Sequence, residues 1–335
     1  WSVFLYPIGI YVGVLLCLRL VSNSGNQFGS RSIPEYLGIR YQSPWIRILV
    51  SIFSLSLFFY LAGQLVSGIV MFEIMLGVPK MAALIITSVV LLIYVVLGGA
   101  HADILTDGVQ GFIMVGVGVL VAVLFCLGYG IEGGFEGMIS ALGSQDENLV
   151  GWLNVTDVLY HSWWAVFAVF LAHVPLGMLP HIGNKLWALK EPTQRMQFIR
   201  LAFVFALILA MLGFGGIMAR VILGEGIDSN QALALLFIDL FPSWFAALLG
   251  VGILAAVMST ADGLVVSSSQ IVANDLYRLS FVPRYRKDLS EEEIERRSLN
   301  ISRISTVVIM ILCTLLAWQT LDMNVTILVW IGVGC

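Results

Sequence analysis

Charged side chains are scarce in this sequence, and their scarcity excludes a water-soluble fold. Asp, Glu, Lys and Arg make up 11% of the 335 residues, whereas soluble domains carry about 25%. Apolar residues make up 59%, and the mean hydropathy is +0.96. A soluble domain of this length leaves much of its surface in water, so the apolar excess must face lipid. The sequence predicts an integral membrane protein in a lipid bilayer.

Three further absences narrow the function. Lys and Arg number 17 against 21 Asp and Glu, so no basic field attracts nucleic acid. No HExxH, CxxC or GxSxG pattern is present, which leaves a protease or hydrolase unsupported and predicts neither an enzyme nor a cofactor. The four cysteines lack short pair spacings, which argues against a disulfide framework or a zinc site. We expect them to be small packing residues: Cys17, Cys126, Cys313 and Cys335.

Long apolar runs are abundant instead. A transmembrane helix needs about 20 apolar residues, and eight runs qualify, with a ninth beginning near residue 323. The runs do not alternate as the strands of a membrane barrel would, so we predict an all-α bundle with one transmembrane domain over 1–335. The predicted spans are 2–21, 46–77, 81–98, 104–129, 159–183, 198–223, 243–277 and 300–318.

The basic residues orient these spans. They concentrate in the connections after the first, fifth and seventh runs, whereas the loop 130–158 contains no Lys or Arg. Basic loops lie on the cytoplasmic side, so every odd-numbered run descends into the cytoplasm. The amphipathic segment 231–241 is too short to span and is predicted to lie at the outer interface. Residues 278–298 are expected to form a solvated surface helix.

The seventh run carries polar groups where lipid is expected. On a helix, the hydroxyls of Ser259 and Thr260 lie beside the carbonyl of Ala256. Neutral oxygens suit a hard monovalent cation, whereas several carboxylates favour calcium or magnesium. The same hydroxyls fit an alternative in which they bond to their own or a neighbouring helix. Asp262 either finds a buried partner or lines a cytoplasmic vestibule.

Two other runs contain unusual polar residues. Asp107 follows Thr106 at the start of the fourth run, where it suits either a helix N-terminus or an ion path. In the fifth run, proline and glycine interrupt the apolar pattern and predict an unwound or kinked segment over 172–181, of the type that exposes backbone to a substrate in transporters. A simple proline kink remains the alternative. The polar and helix-breaking residues of this stretch are His173, Pro175, Gly177, Pro180 and His181.

Taken in order, these motifs resemble the sodium:solute symporter family, most closely its pantothenate and proline permease branch. The resemblance covers nearly the whole chain, and the Ala-Ala-x-Met-Ser-Thr segment is its most specific part. The motifs are Gly98-Gly99, Thr106-Asp107-Gly108-Val109-Gln110, Leu179-Pro180-His181, Ala255-Ala256-Val257-Met258-Ser259-Thr260-Ala261-Asp262 and Asp275-Leu276-Tyr277.

The resemblance implies two inverted five-helix repeats that couple sodium to uptake of a small organic solute. It assigns sodium to the Ala256 carbonyl and the Ser259 and Thr260 hydroxyls, and it places Asp107 on the path toward the cytoplasm; Asp262 is the second candidate on that path. It also implies solute contacts around the fifth-run break. A chain that starts at the second core helix and ends inside the ninth lacks the first core helix, so we expect a fragment incomplete at both ends.

The working hypothesis is therefore a sodium-coupled symporter in a bacterial cytoplasmic membrane. Its solute is pantothenate, proline or another carboxylate that His173, His181 or Arg220 could meet, although Arg220 could instead pair with Glu225. Two alternatives remain: a symporter-like sensor domain fused to a signalling module, and a sodium-independent facilitator, which needs no cation site.

Overall fold

A computed structural model describes residues 1–20, 29–30, 32–189 and 191–334. It leaves the side chains of residues 19, 20, 94, 97–104, 184, 187, 188 and 192 undescribed. Cys335 therefore lies outside the described residues. Within the described part of the chain, all regular structure is helical, which confirms the all-α prediction.

The described residues form fifteen α-helices, numbered in chain order. The first eight are α1 Leu5–Leu20, α2 Ile33–Arg40, α3 Pro44–Ser54, α4 Leu57–Leu76, α5 Lys80–Leu127, α6 Gly134–Gln145, α7 Trp163–His173 and α8 Pro180–Ala188. The remaining seven are α9 Pro192–Ala210, α10 Gly213–Ile222, α11 Ala232–Leu240, α12 Ser243–Gln270, α13 Val282–Tyr285, α14 Glu291–Gln319 and α15 Val325–Gly334. Short 3-10 helices cover Ser2–Phe4, Glu147–Leu149 and Pro175–Met178, and a π-helix covers Ile271–Phe281.

The apolar helices correspond to the predicted spans. Among the described residues, five helical segments are long and apolar enough to cross a membrane: Pro44–Leu76, Leu105–Leu127, Thr193–Ile222, Ser243–Tyr285 and Glu291–Gln319. Four shorter apolar helices accompany them: Ser2–Leu18, Lys80–Ile93, Trp163–Met178 and Val325–Gly334. Together they match the eight predicted runs and the beginning of the ninth.

The third and fourth predicted spans are joined in a way that the sequence did not predict. We expected a connection between residues 98 and 104, but α5 is helical over all 48 of its residues. The cap prediction for Thr106 was therefore wrong, because Thr106 lies inside α5 and not at a helix start. A straight helix of this length would extend about 72 Å, more than twice the roughly 30 Å hydrocarbon core of a bilayer.

Contacts show that the two halves of α5 do not continue in one straight line. Three contacts of glycine residues show which parts of neighbouring helices lie at a similar height in the bundle. Gly68 contacts Thr87, Gly250 contacts Met75, and Gly252 contacts Val117. Residues 68 and 75 are about 10 Å apart along α4, whereas residues 87 and 117 of a straight helix would be about 45 Å apart. The helical chain must change direction between them, so its two halves serve as separate spans.

The main core lies around α4. Leu61, Leu65 and Ile69 of α4 are buried against α12 and α14. Lipid is as apolar as these side chains, so helices in a membrane associate mainly through close packing and interhelical hydrogen bonds. One such bond joins Thr314 Oγ1 of α14 to Ser88 Oγ of α5 at 2.9 Å.

The loops gather at two opposite ends of the bundle, as the charge pattern predicts. At one end, Trp1 donates its indole N–H to Trp152 O at 3.0 Å in the loop that lacks basic residues. At the other end, the connection after α1 meets the segment after α12, where Ser32 contacts Asp275. The predicted outer helix 231–241 forms as α11, with Leu236 and Phe237 buried on one face and Ile238 and Asp239 exposed on the other. The expected surface helix is instead the exposed start of α14.

Candidate functional site

The predicted cation ligands lie together on α12. Thr260 Oγ1 donates a hydrogen bond to Ala256 O at 3.2 Å. Ser259 is half-buried, and its hydroxyl makes no hydrogen bond within the described residues. At 100° per residue, Ala256 and Ser259 fall on the side of α12 away from Ala261, which is buried in the main core. The three oxygens are therefore held by one helix, with Ala256 and Ser259 facing away from Ala261 and Thr260 lying between the two sides.

Asp262 occupies a different environment. Its side chain has no exposed surface, and its Oδ1 accepts a hydrogen bond from the Gly263 N–H at 2.7 Å. Of the two environments expected for Asp262, this structure shows the buried one. Asp262 lies one turn beyond Ser259, about 60° from it around the helix axis.

Asp107 forms an ion pair that the sequence did not predict. Its Oδ2 contacts the ammonium of Lys185 on α8, and the two side chains are 19% and 28% exposed. Among the residues that the structure describes, the buried Oδ1 of Asp107 has no hydrogen-bond partner, and neither has the buried Oε1 of Gln110 one turn later. Because α8 also packs against α12, this pair lies beside the helix that carries Ser259 and Thr260.

The predicted interruption of the fifth span is confirmed in the backbone. Helix α7 ends at His173, a 3-10 turn covers Pro175–Met178, and Leu179 is extended before Pro180 begins α8. Proline lacks the N–H that a continuing helix needs and suits the first position of the next helix. This combination explains why the chain breaks here and then restarts.

The side chains at the break point in different directions. His173 is buried and Pro175 is exposed. Gly177 lies against the backbone of Ile10 and Val14 in α1, so close that a Cβ there would clash. Its position is explained by helix packing, because only glycine allows two backbones to approach this closely.

His181 lies further along, on the first turn of α8. It is half-buried, and its buried Nδ1 finds no hydrogen-bond partner within the described part of the chain. Lys185 follows one turn later, so His181 belongs to the same region as Asp107. Arg220, the other candidate for a carboxylate, already binds Glu225 at 2.6 Å and Gln145 at 3.0 Å. The second interpretation of Arg220 is therefore the correct one.

Sequence reasoning missed a group of hydrogen-bonded residues at the C-terminal end of α12, which we call the clasp: Ser32, Arg47, Asp275 and Ser280. Asp275 lies on the π-helix and is fully buried, and its Oδ1 accepts a hydrogen bond from Ser32 Oγ at 2.7 Å. Arg47 of α3 donates to Ser280 Oγ at 3.1 Å and to Leu279 O. Asp275 stands in a noted motif, but Ser32 is 243 residues away from it in sequence, so no local pattern identifies this partner.

The fold and the site geometry together identify the general class of protein. The chain is a polytopic helical membrane protein with neutral oxygens on one span, an ion pair beside them and a broken helix opposite α1. This is the arrangement of a secondary transporter in which irregular backbone and helix oxygens meet inside the bilayer.

The chain belongs to the sodium:solute symporter family, whose model matches residues 1–334. The sodium/pantothenate symporter of Haemophilus influenzae is 25% identical over 295 residues, which cover 87% of this chain and 58% of that protein. The high-affinity proline transporter of Bacillus subtilis is 26% identical over 353 residues, which cover 97% of this chain and 70% of that protein. The chain thus spans about three fifths of the length of the pantothenate symporters it matches.

The fold is also similar to a solved structure. A sodium-coupled sialic acid symporter, solved in a substrate-bound outward-open state, aligns with a TM-score of 0.74 at 19% identity. The alignment covers 99% of this chain and 71% of that one. This likeness confirms the symporter-type helical fold but does not identify the solute of this chain.

Proposed function

We propose that this chain forms most of a sodium-coupled symporter that carries a small organic solute across a bacterial cytoplasmic membrane. The observation that carries the proposal is the set of neutral oxygens on α12: Ala256 O, Ser259 Oγ and Thr260 Oγ1. Membership of the family supports it, and so does the similarity to proteins named as sodium/pantothenate symporters in Haemophilus influenzae and Escherichia coli.

The chemistry of these oxygens fits sodium as the transported ion. Thr260 uses its hydrogen toward Ala256 O, which leaves the hydroxyl lone pairs for a cation. Hard cations take oxygen ligands, and divalent ions are usually held by carboxylates. Within the described residues, no group of three or more His, Cys, Asp or Glu side chains could hold a metal ion. A weakly charged set of ligands therefore favours a monovalent ion.

The proposed exit route passes Asp107. A sodium ion leaving α12 meets a carboxylate that Lys185 already neutralises. The tethered ammonium then competes with the ion, so sodium is released toward the cytoplasm rather than retained at Asp107. Asp262 is fully buried one turn beyond Ser259 on α12 and acts in this scheme by holding the helix in place.

Solute binds, in this proposal, at the break between α7 and α8, close to His173 and His181. Sodium on α12 stabilises the arrangement that accepts solute, and by linkage the solute raises the affinity for sodium by the same factor. Entry of the charge contributes about 2.3 kcal/mol per 100 mV of membrane potential, in addition to the sodium gradient.

Equilibrium binding of radioactive sodium to the purified full-length protein tests the ion site. We expect Ser259→Ala and Thr260→Ala each to weaken binding by at least about tenfold, since each removes one ligand. Thr306→Ala is the matched control, because Thr306 Oγ1 bonds to Ser302 O of its own helix at 3.0 Å, far along the chain from the proposed site. Unchanged binding in both α12 variants would contradict the assignment and favour a sodium-independent facilitator.

A further inference from the structure

Four aromatic residues from four helices meet around the end of α7. The imidazole of His173 lies edge-on to the Tyr6 ring of α1, with centroids 5.2 Å apart, and to the Trp330 ring of α15, 6.4 Å apart. The Tyr6 hydroxyl lies next to that of Tyr60 on α4. We call Tyr6, Tyr60, His173 and Trp330 the aromatic box.

A backbone carbonyl fixes the hydrogen-bonding role of His173. Its Nδ1 lies 2.7 Å from Val169 O. A carbonyl oxygen only accepts, so Nδ1 must carry the hydrogen, and in the neutral ring Nε2 is then an acceptor. The contacts of His173 among the described residues are this carbonyl and apolar or aromatic groups of α1, α7 and α15. None of them is an anion that would call for a second ring proton.

The tyrosine pair adds one available donor. Even when two neighbouring hydroxyls bond to each other, one hydrogen is used and the other is left to donate. The box thus offers one ring nitrogen that accepts, one hydroxyl hydrogen that donates, and aromatic faces that suit an apolar surface. Tyr6 is 45% exposed and Tyr60 only 7%, so the box is open on the α1 side and closed on the α4 side.

We propose that the aromatic box recognises a solute group that donates a hydrogen bond, a hydroxyl or N–H on a compact apolar body. This inference rests on the proposed transport function and names its substrate class. A carboxylate has only acceptor oxygens, and Nε2 repels it. The carboxylate of an organic acid therefore binds elsewhere, and the earlier hypothesis that His173 meets it is replaced by one in which His173 accepts from the solute.

Matched pairs of compounds test the proposal in the full-length purified protein. L-lactate carries a hydroxyl that propionate lacks, and L-proline carries N–H groups that N,N-dimethylproline lacks; pantothenate, with two hydroxyls, serves as a third donor. Protection against thermal unfolding in sodium-containing buffer is the readout. We expect the donor-bearing compounds to protect at concentrations about tenfold lower than their partners, as one hydrogen bond allows.

His173→Phe separates recognition from packing, because phenylalanine keeps a ring against Tyr6 and Trp330 but has no acceptor nitrogen. The preference within each pair should fall to about one, while His161→Phe, at a loop histidine whose Nδ1 also contacts a carbonyl, should retain it. Equal protection by both members of each pair, or protection by none of the compounds, overturns the proposal. A failure of the proposed sodium coupling would give a different result. The donor-bearing compounds would still protect better than their partners, but equally well with and without sodium.

Discussion

Among single residues, Lys185 allows the sharpest test of the proposed ion path, because its ammonium contacts Asp107 directly. This ammonium pairs with Asp107 across α5 and α8, and in the proposed exit route it competes with the departing sodium ion for that carboxylate. Replacing it with glutamine removes that competition, so we expect sodium to be held more tightly and the sodium concentration for half-maximal uptake to fall several-fold, with a lower maximal rate. Sodium-dependent uptake into proteoliposomes measures both quantities.

The control for this prediction is Lys185→Arg, which keeps the positive charge and should leave the sodium dependence close to that of the parent protein. Loss of a buried partner also destabilises a protein, so the amount of folded Lys185→Gln must be checked by size-exclusion chromatography. A half-maximal sodium concentration that does not change in well-folded Lys185→Gln would contradict the competition model.

Sequence alone identified Asp107, Ser259 and Thr260 as candidates because polar groups stand out against lipid. It did not identify Lys185, which stands in a basic connection where any lysine satisfies the charge pattern. Nor did it show that Gly177 packs on α1, since glycine in a span is consistent with a break as well as with close helix packing. Pairings between distant residues require the fold.

At the scale of the elements, the contact between α1 and the 3-10 turn Pro175–Met178 sets the stability of the broken span. Gly177 lies directly on the backbone of Ile10 and Val14. Gly177→Ala should therefore destabilise the protein by about 1–3 kcal/mol, the range for overpacking. Thermal unfolding in detergent measures it, with Gly216→Ala as control, since a Cβ at Gly216 meets open space. Equal unfolding temperatures for the two variants would disprove this packing.

The π-helix depends on the clasp described above. Arg47 donates to Leu279 O and Ser280 Oγ, and hydrogen bonds to a charged group contribute about 1.5–3 kcal/mol. Arg47→Met should therefore accelerate amide hydrogen exchange over 271–281 by roughly tenfold to a hundredfold. Arg303→Met, at an exposed arginine of α14, is the control. Exchange that is equally slow in both variants would show that the clasp does not hold this segment.

The positions of the membrane spans can be predicted from the sequence, whereas the structure at the ends of the spans cannot. Lipid demands long apolar helices, so the runs around α4, α12 and α14 follow from composition alone. The π-helix after Gln270 depends instead on Ser32 and Arg47, which precede it by most of the length of the chain. For 231–241, amphipathicity predicted a helix with one buried face, and α11 buries Leu236 and Phe237 while Ile238 is exposed.

For the whole molecule, the path of α5 is the main architectural test. Ile86 and Val119 are both exposed, so spin labels there should not disturb packing. A straight helix would separate them by about 50 Å, whereas the contacts of Thr87 and Val117 with neighbouring helices require a change of direction. We expect pulsed electron resonance in lipid nanodiscs to give a distance much shorter than that of the straight helix. A single narrow peak at the straight-helix distance would contradict the two-span interpretation of α5.

The orientation of the molecule can be tested at its two ends. The loop that contains Trp152 is predicted to face outward, and the Arg278–Ser298 connection is predicted to face the cytoplasm. Single cysteines at Val158 and Lys287, in a background in which Cys126 is replaced, should react with a membrane-impermeant thiol reagent from opposite sides of the membrane. Labelling of Val158→Cys only in inside-out vesicles would reverse the assignment.

The most direct measurement of the central claim is solute uptake driven by a sodium gradient. Full-length protein in proteoliposomes is given labelled pantothenate or proline, with and without an inward sodium gradient, alongside Ser259→Ala, Thr260→Ala and the Thr306→Ala control. The account predicts accumulation that requires the gradient, collapses in both α12 variants and persists in the control. Uptake of equal size without sodium, or unaffected by the α12 variants, would contradict sodium coupling through this helix.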